Sequence, residues 1–203
     1  MKTPKNYLCI NGKKIELTKE QLEQLGVLKE PIATLSADGK IAKIGEYEFI
    51  VLKKDKDTVE LLLKNSLCER NFDDDTKNFS ESDIREYLDD FADILSNIIG
   101  EDNIVKHTVD LTTLDGLKDY GSCECRVSLL TSKQYAENVY IIDEFKLDKW
   151  WWLANAWSNE KHGWEYSVCC VSPLGDIDNG LYYFNIIGVR PFCILKSNIF
   201  VSE

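Results

Sequence analysis

The stretch that decides the fold is residues 149–195, which opens with KWWWL (149–153) and closes with GVRPFCIL (188–195). All five tryptophans of the chain lie between positions 150 and 164. Large aromatic rings dominate core energetics, so the run Trp150-Trp151-Trp152 predicts a strand at the centre of a hydrophobic core. We expect the GVRP segment to cover these indoles and to complete a rigid platform for irregular loops.

Composition and charge narrow the class of protein. The chain has 203 residues, of which 44% are hydrophobic, so it can bury a sizeable core. Its formal net charge of -11 argues against direct nucleic-acid binding and an anionic membrane surface, but leaves a basic protein partner open. No apolar run approaches the roughly 20 residues of a membrane span, and no apolar signal region follows the N-terminus. A cytoplasmic protein is the expectation, with its seven cysteines reduced.

Residues 1–30 are predicted to form a separate hairpin-helix unit. Two apolar strands, 7–10 and 13–17, flank Asn11-Gly12, which is the strongest short hairpin signal. A helix is predicted over residues 18–26, with a capping box at its start and a glycine at its end. A unit of this size is too small to be stable alone, so we expect it to dock on the main domain or on another partner.

The main domain is predicted over residues 40–203, after a linker-like stretch at 31–40. Apolar residues with a helical spacing indicate a helix that begins after Ser80 or Ser82 and ends at Gly100. The other predicted elements are strands 44–52, 58–63, 126–130, 166–171, 181–187 and 189–195, a helix from Thr131 or Ser132 to Asn138, a polar loop at 155–165 and a turn at 173–176.

Five motifs resemble those of a family of domains of unknown function that is widespread in gut Firmicutes and their phages. In chain order they are SDIREYL (82–88), VSLLT (127–131), WWL (151–153), Gly175 and GVRP (188–191). That family is similar to the wider C-type-lectin-like group, which includes formylglycine-generating enzymes and receptor-binding proteins of phages. The resemblance implies an α+β fold, with a C-type-lectin-like twisted antiparallel sheet, two or more flanking helices and a loop-rich half. The N-terminal hairpin-helix resembles a short leader of many phage and Firmicute proteins.

Four residues are interpreted as structural: Arg85, Trp151, Trp152 and Arg190. Arg190 lies in an otherwise apolar strand, where a buried guanidinium must satisfy its donors. We expect loop carbonyls or a carboxylate such as Asp176 to accept these hydrogen bonds, with ligand binding as the alternative. Arg85, on the first helix of the main domain, has the same interpretation.

No cofactor, metal site or catalytic residue is expected. Cys123-Glu124-Cys125 and Cys169-Cys170 lack the spacing of zinc-ligand pairs, and the later cysteines do not reproduce the copper-binding pair of formylglycine-generating enzymes. The acidic run at 73–75 lacks the alternation and the glycine of a calcium loop. No serine-histidine-acid arrangement and no glycine-rich phosphate loop is indicated.

The loop at 155–165 is the best candidate for a binding site, because loops on a rigid scaffold carry function and tryptophan and tyrosine are favoured anchors. The alternative is that its tryptophans only cover the core. The candidate partner-binding residues are Asn155, Trp157, Asn159, His162, Trp164, Tyr182 and Tyr183.

The leading functional hypothesis is a non-catalytic binding protein from a phage or mobile element, which holds a protein partner through this aromatic surface. A glycan partner is the alternative ligand. A second hypothesis is an acidic inhibitor of a host defence protein such as a nuclease, and an oxidase like the formylglycine-generating enzymes is third. The expected location is the host cytoplasm or the virion, and the sequence does not define the oligomeric state.

Overall fold

The computed structural model describes residues 7–10, 13–16, 18 and 32–202. The strands are β1 (Tyr7–Ile10), β2 (Lys13–Glu16), β3 (Ala33–Leu35), β4 (Ile41–Ile44), β5 (Tyr47–Lys54), β6 (Thr58–Leu63), β7 (Cys68–Glu69), β8 (Ile104–Val105), β9 (His107–Asp110), β10 (Ser122–Cys125), β11 (Val127–Ser128), β12 (Trp151–Ala156), β13 (Ser167–Val171), β14 (Ile177–Leu181), β15 (Gly188–Val189), β16 (Phe192–Lys196) and β17 (Val201–Ser202). The helices are α1 (Asp83–Ile99) and α2 (Ser132–Asp143), and short 3-10 helices lie at Phe79–Glu81, Glu101–Asn103, Glu160–His162 and Ser197–Ile199.

The chain divides into two compact units, Met1–Ile32 and Ala33–Glu203. In the first unit, β1 and β2 pair antiparallel, and Ile10 lies opposite Lys13. This register confirms the two predicted strands of the hairpin. The predicted two-residue turn and the body of the predicted helix lie outside the described residues.

The larger sheet of the second unit has eight strands. Their order is β11-β16-β6-β5-β4-β3-β17, and β8 pairs with β16 off this path. All pairs are antiparallel except β17 with β3. The linker predicted at 31–40 is wrong for β3, where Ala33 and Leu35 are both buried in the core. A strand of three residues is too short to show its two-residue period in the sequence.

The smaller sheet has five strands in the order β14-β13-β12-β15-β7, with the tryptophan strand β12 at its centre. β15 runs parallel to β12, and the Gly188 N–H donates to the Trp150 carbonyl oxygen at 2.8 Å. The GVRP segment therefore lies beside the tryptophan strand, but β15 is its neighbour within the sheet and does not cover the indoles as predicted. A Cβ atom at Gly188 would collide with Ser66 and lie 3.1 Å from the Trp150 oxygen, so the close approach requires glycine.

Two hydrophobic cores lie on opposite faces of the strands. Because successive side chains of a strand point to opposite faces, Trp152 belongs to one core and Trp151 to the other. β5 alternates in the same way, with Phe49 in the first core and Ile50 in the second. The fold is α+β, rich in antiparallel strands, with one helix on each core. The helix side chains buried there are Ile84, Leu88, Phe91, Ala92 and Leu95 of α1 and Tyr135 and Ile142 of α2.

Helix α1 begins and ends where the sequence predicts, after Ser82 and before Gly100. The cap is different from the prediction, because the Ser82 hydroxyl donates to the Phe79 carbonyl instead of accepting from the helix. The carboxylate of Asp73 replaces it and accepts from the Asp83 N–H at 2.8 Å. One carboxylate of the acidic run at 73–75, that of Asp73, therefore caps the N-terminus of α1.

Helix α2 begins as predicted, because Thr131 and Gln134 form a complete capping box. It continues to Asp143, beyond the predicted end at Asn138. The last turn adds buried Ile142 to the second core, a tertiary contact that local sequence does not display.

The C-terminal segment differs most from its prediction. Residues 182–187 form turns instead of a strand, since β14 ends at Leu181. The single strand predicted over 189–195 is interrupted at Arg190-Pro191. The interruption transfers the chain from the smaller sheet, which contains β15, to the larger sheet, which contains β16.

Arg190 lies at this transfer between the sheets and is fully buried. Its Nε donates to the Leu63 carbonyl at 2.7 Å, and its Nη2 donates to the Lys64 and Phe145 carbonyls at 2.9 and 3.4 Å. The guanidinium also lies 5.1 Å from the Trp151 ring centroid. Burial lowers the pKa of Arg190 to about 10, so the charge persists at neutral pH. The carbonyl interpretation is confirmed, and Asp176 is not among these acceptors.

Replacing Arg190 by lysine should destabilise the protein strongly. A lysine keeps the charge but cannot span the Leu63 and Lys64 carbonyls with a planar fork, which leaves buried polar groups unpaired. We expect a loss of about 3 kcal/mol in the free energy of unfolding, measured by urea denaturation. The matched control is Arg126→Lys, whose partners Asp93 and Glu101 are largely exposed, and it should cost less than about 1 kcal/mol. Equal losses for the two variants would contradict the role of Arg190.

Candidate aromatic binding site

A hairpin of the smaller sheet ends in a group of aromatic side chains. β13 and β14 pair antiparallel up to Ser167 opposite Leu181. The next residues outward are Tyr166 and Tyr182, and the Tyr182 N–H donates to the Tyr166 carbonyl at 2.9 Å. The chain then turns at Tyr183, so the rings gather where the ladder of hydrogen bonds ends.

Four of these rings form a continuous group, which we call the tyrosine cluster: Tyr166, Tyr182, Tyr183 and Phe184. Ring centroids are 5.9 Å apart for Tyr166 and Tyr182, 5.5 Å for Tyr182 and Tyr183, and 5.6 Å for Tyr183 and Phe184. Tyr182 is only 8% exposed, whereas the other three are 42–48% exposed. Tyr182 is thus the buried ring of the tyrosine cluster, and the other three rings are partly exposed to solvent.

The tyrosine cluster is held on the core from two sides. The Tyr182 carbonyl accepts from the Phe72 N–H at 2.7 Å and from the Asp73 N–H at 3.2 Å. Next to it, the Trp152 indole packs so closely on Gly180 that a Cβ atom there would lie 2.9 Å from the ring. These contacts fix the backbone that carries the exposed rings, so little backbone entropy remains to be lost on binding.

Negative charge surrounds the tyrosine cluster. Burial, followed by the charges of Asp75, Asp73 and Glu165, raises the pKa of Tyr182. A hydrogen bond with the Glu165 carboxylate is the main cause of the raised pKa of Tyr166. Rings beside carboxylates attract cations through cation–π contact and through charge, so this surface suits a basic group.

The two tryptophans of the neighbouring loop have different environments. Trp157 is half-buried and packs on the second core, while Trp164 is 41% exposed. Their ring centroids are 5.9 Å apart. The buried Lys77 ammonium donates to the Trp164 carbonyl at 2.5 Å and so ties the loop to the protein interior. Trp157 therefore covers the core, and Trp164 is the loop tryptophan available to a partner.

His162, predicted to touch a partner, takes part in a loop anchor with Asp115 and Ser158. The Ser158 hydroxyl donates to Asp115 Oδ2 at 2.6 Å, and His162 Nδ1 lies 3.0 Å from the same oxygen. Hydrogen bonds from Ser158, Thr113 and His162, in that order, lower the pKa of Asp115 to about 2. The anchor is therefore intact above the ordinary carboxyl pKa and is lost as the pH falls towards 2.

These residue types resemble a hydrolytic triad, but their geometry differs from one. In a triad the serine hydroxyl donates to the imidazole nitrogen that faces away from the carboxylate. Ser158 instead donates to Asp115, and Nδ1 of His162 is 3.2 Å from the Ser158 oxygen, on the carboxylate side of the ring. Ser158 is also 2% exposed, so it does not face a substrate.

Asn155, also predicted to bind a partner, is a structural residue. It lies inside β12 and is 2% exposed. Its Oδ1 accepts from the Ser132 N–H at 2.7 Å, and its Nδ2 donates to the Asp110 and Thr112 carbonyls at 3.0 and 2.8 Å. These bonds use its hydrogen-bonding capacity, so this part of the prediction is corrected. Asn159 contacts Asp119 at 2.7 Å and the His162 N–H at 3.2 Å, within the loop.

The structure adds two residues that the sequence prediction missed, Tyr166 and Phe184. Both lie in segments that are predicted as strands, 166–171 and 181–187. The consecutive aromatics at 182–184 break the two-residue alternation of a half-buried strand, and that break was the available signal. Of the predicted binding residues, Trp164 and Tyr183 present substantially exposed rings, and Tyr182 supports them.

Arg85, predicted to be structural, forms an ion pair with Asp89 and donates to the Glu124 carbonyl at 3.1 Å. It thus joins α1 to β10. Within the described ranges, no group of three or more His, Cys, Asp or Glu side chains could hold a metal ion. No helix in the same ranges is long and apolar enough to cross a membrane.

Fold and site together define a strand-rich α+β protein with an exposed, acid-flanked aromatic cluster. The chain belongs to the family of the domain of unknown function DUF6273, whose model matches residues 57–197. This match covers more than half of the chain, including the tryptophan strand and the tyrosine cluster. It confirms the resemblance to a domain of unknown function. Comparison with curated proteins finds no match, and comparison with solved structures finds none.

Removing the loop anchor should loosen the loop at 157–166. Asp115→Asn removes the negative charge and one of the two accepting oxygens, so Thr113, Ser158 and His162 can no longer all be satisfied, and the exposed Lys161 then becomes a better tryptic site. We expect native-state cleavage after Lys161 to accelerate several-fold. Asp178→Asn, an exposed change on β14, is the control and should leave that rate unchanged. Identical cleavage of all three proteins would contradict the anchor.

Proposed function

We propose that this protein is a non-catalytic binding module that holds a basic segment of a partner protein on the tyrosine cluster. The observation that carries the proposal is the three-ring exposed surface on a rigid base, flanked by Asp75 and Glu165. Tyrosine supplies a large contact area with few rotatable bonds, which makes it a favoured anchor. Trp164 extends the aromatic character to the neighbouring loop.

Charge supports a protein partner rather than a glycan. The chain has a net charge of -11, and carboxylates border the exposed rings. Arginine and lysine side chains satisfy both features, since they stack on aromatic faces and pair with carboxylates. A neutral glycan would use the rings but not the charges.

The inhibitor hypothesis uses the same surface. An acidic aromatic patch that binds basic groups would occupy the basic groove of a nucleic-acid-binding protein and exclude its substrate. The partner in this second proposal is a host nuclease or another defence protein. An excess of nucleic acid would release such a partner, whereas it would not release a partner that binds elsewhere.

The origin and wider kinship of the fold belong to the same proposal. We infer a divergent C-type-lectin-like fold, supported by the tryptophan strand beside the GVRP segment and by a helix on each core. The sequence resemblance also supports a phage or mobile-element source, with action in the host cytoplasm or on the virion. A structure of a second family member with a different strand order in the five-stranded sheet would contradict the lectin-like kinship.

Partner capture tests the proposed function. Wild type and the double variant Tyr183→Ala/Phe184→Ala are immobilised and exposed to host lysate, and the captured protein is identified and purified. Its dissociation constant should rise at least about tenfold for the double variant, because aromatic anchors dominate such interfaces. Affinity for wild type should also fall as salt is raised, because the flanking charges are exposed.

The matched control is Tyr140→Ala, which removes a tyrosine on α2 that is 89% exposed and lies outside the tyrosine cluster. It should bind like wild type. Equal affinity of the double variant and wild type would overturn the proposal. Captured material that survives protease treatment but is lost on glycosidase treatment would assign the site to a glycan instead.

A further inference from the structure

Two cysteine thiols lie together on one face of β10, a strand outside the tyrosine cluster. Cys123 and Cys125 are separated by one residue of the strand, so both side chains point to the same face. Their sulfur atoms are 3.7 Å apart, and both thiols are free. Arg85 of α1 donates to the carbonyl of the intervening Glu124 at 3.1 Å, which brings its positive charge beside the pair.

The two thiols have unequal environments. Cys123 is half-buried, whereas Cys125 is 2% exposed. The hydrogen bond from Cys125 and the Arg85 charge lower the pKa of Cys123 to about 7, although partial burial and Asp89 oppose them. The hydrogen bond with Cys123 and burial raise the pKa of Cys125. Because the thiolate is the nucleophile, Cys123 is the attacking thiol at neutral pH and Cys125 is the resolving thiol.

The backbone permits a bond between these sulfurs. Residues two apart in a strand have Cα atoms roughly 6.6 Å apart, at the upper end of the range of about 4.4–6.8 Å that disulfides span. β10 pairs only with β9 in a two-stranded sheet among the described residues, so a small adjustment does not disturb the larger sheets. A bridge between such close residues is strained and therefore readily reduced again.

We propose that Cys123 and Cys125 form a reversible dithiol site that exchanges with small-molecule disulfides. The Cys123 thiolate attacks a disulfide RSSR, forms a mixed disulfide with one RS group and releases the other as a thiolate. The Cys125 thiol then loses its proton and attacks the Cys123 sulfur, which displaces the second RS group. The protein dithiol is oxidised by two electrons, and one RSSR is reduced to two RSH.

The other cysteines of the second unit do not offer this chemistry. Cys169 and Cys170 are adjacent but point to opposite cores, and burial raises the pKa of each. Cys193 is buried in the same way. Cys68 is partly exposed, and its side chain hydrogen-bonds with Tyr87. The reactive pair is thus specific to β10.

Oxidised glutathione is the probe that tests this site. Trypsin cleaves after Lys118 and Arg126, so one peptide, residues 119–126, carries both cysteines and no other. The native protein is incubated with the probe at neutral pH, quenched with acid, alkylated after unfolding and digested. We expect peptide 119–126 to lose two hydrogens and to escape alkylation, and we expect dithiothreitol to restore it. Peptide 162–196, which carries Cys169, Cys170 and Cys193 because trypsin does not cleave before Pro191, should remain reduced.

Two variants separate the steps. Cys125→Ser should stop at a stable mixed disulfide of glutathione with Cys123, because the second thiol is missing. Cys123→Ser should leave Cys125 unmodified, because that thiol is buried and protonated. The proposal is overturned if wild-type peptide 119–126 stays reduced, or if glutathione remains on wild-type Cys123 without forming the internal bond.

Discussion

Trp151 and Trp152 are neighbours on one strand, and the structure depends on their placing two indoles in two different cores. β12 can be buried on both faces only if its edges are also covered, and β13 and β15 cover them. Glycine at 188 allows the β15 backbone to approach Trp150, and Arg190, two residues later, donates to the Leu63 and Lys64 carbonyls. The cores, the two sheets and the path between them therefore share this one strand.

The candidate site is a consequence of the same packing. The Trp152 ring presses on Gly180, and the chain beyond β14 leaves the sheet with Tyr182 buried beneath Tyr183. The backbone beneath the exposed rings is fixed by hydrogen bonds from the Phe72 and Asp73 N–H groups to the Tyr182 carbonyl. The candidate site combines rigid support, aromatic area and negative charge, and the proposed binding of a basic protein segment rests on these features.

Sequence patterns were sufficient where one local signal had one structural outcome. The helical spacing before Gly100 and the apolar character of the tryptophan strand belong to this group. They failed where distant contacts decide: Asn155 looks like a loop residue, but β12 buries it because three backbone groups from two other segments bind its amide. The aromatic run at 182–184 has strand propensity, yet the chain turns there because Phe72 and Asp73 hold the Tyr182 carbonyl. Part of the charge around the rings comes from Asp73 and Asp75, which lie far from the rings in the chain, so no local motif reveals it.

Hydrogen–deuterium exchange of the free protein tests the central claim most directly, because it reports whether the tyrosine cluster stands on the tryptophan platform. The account predicts that the amides of Tyr182 and Gly188, both hydrogen-bonded to backbone carbonyls, exchange as slowly as those inside β13. The exposed loop around Lys161 should exchange much faster. If residues 180–189 exchanged as fast as that loop, the tyrosine cluster would have no rigid base and the account would be wrong.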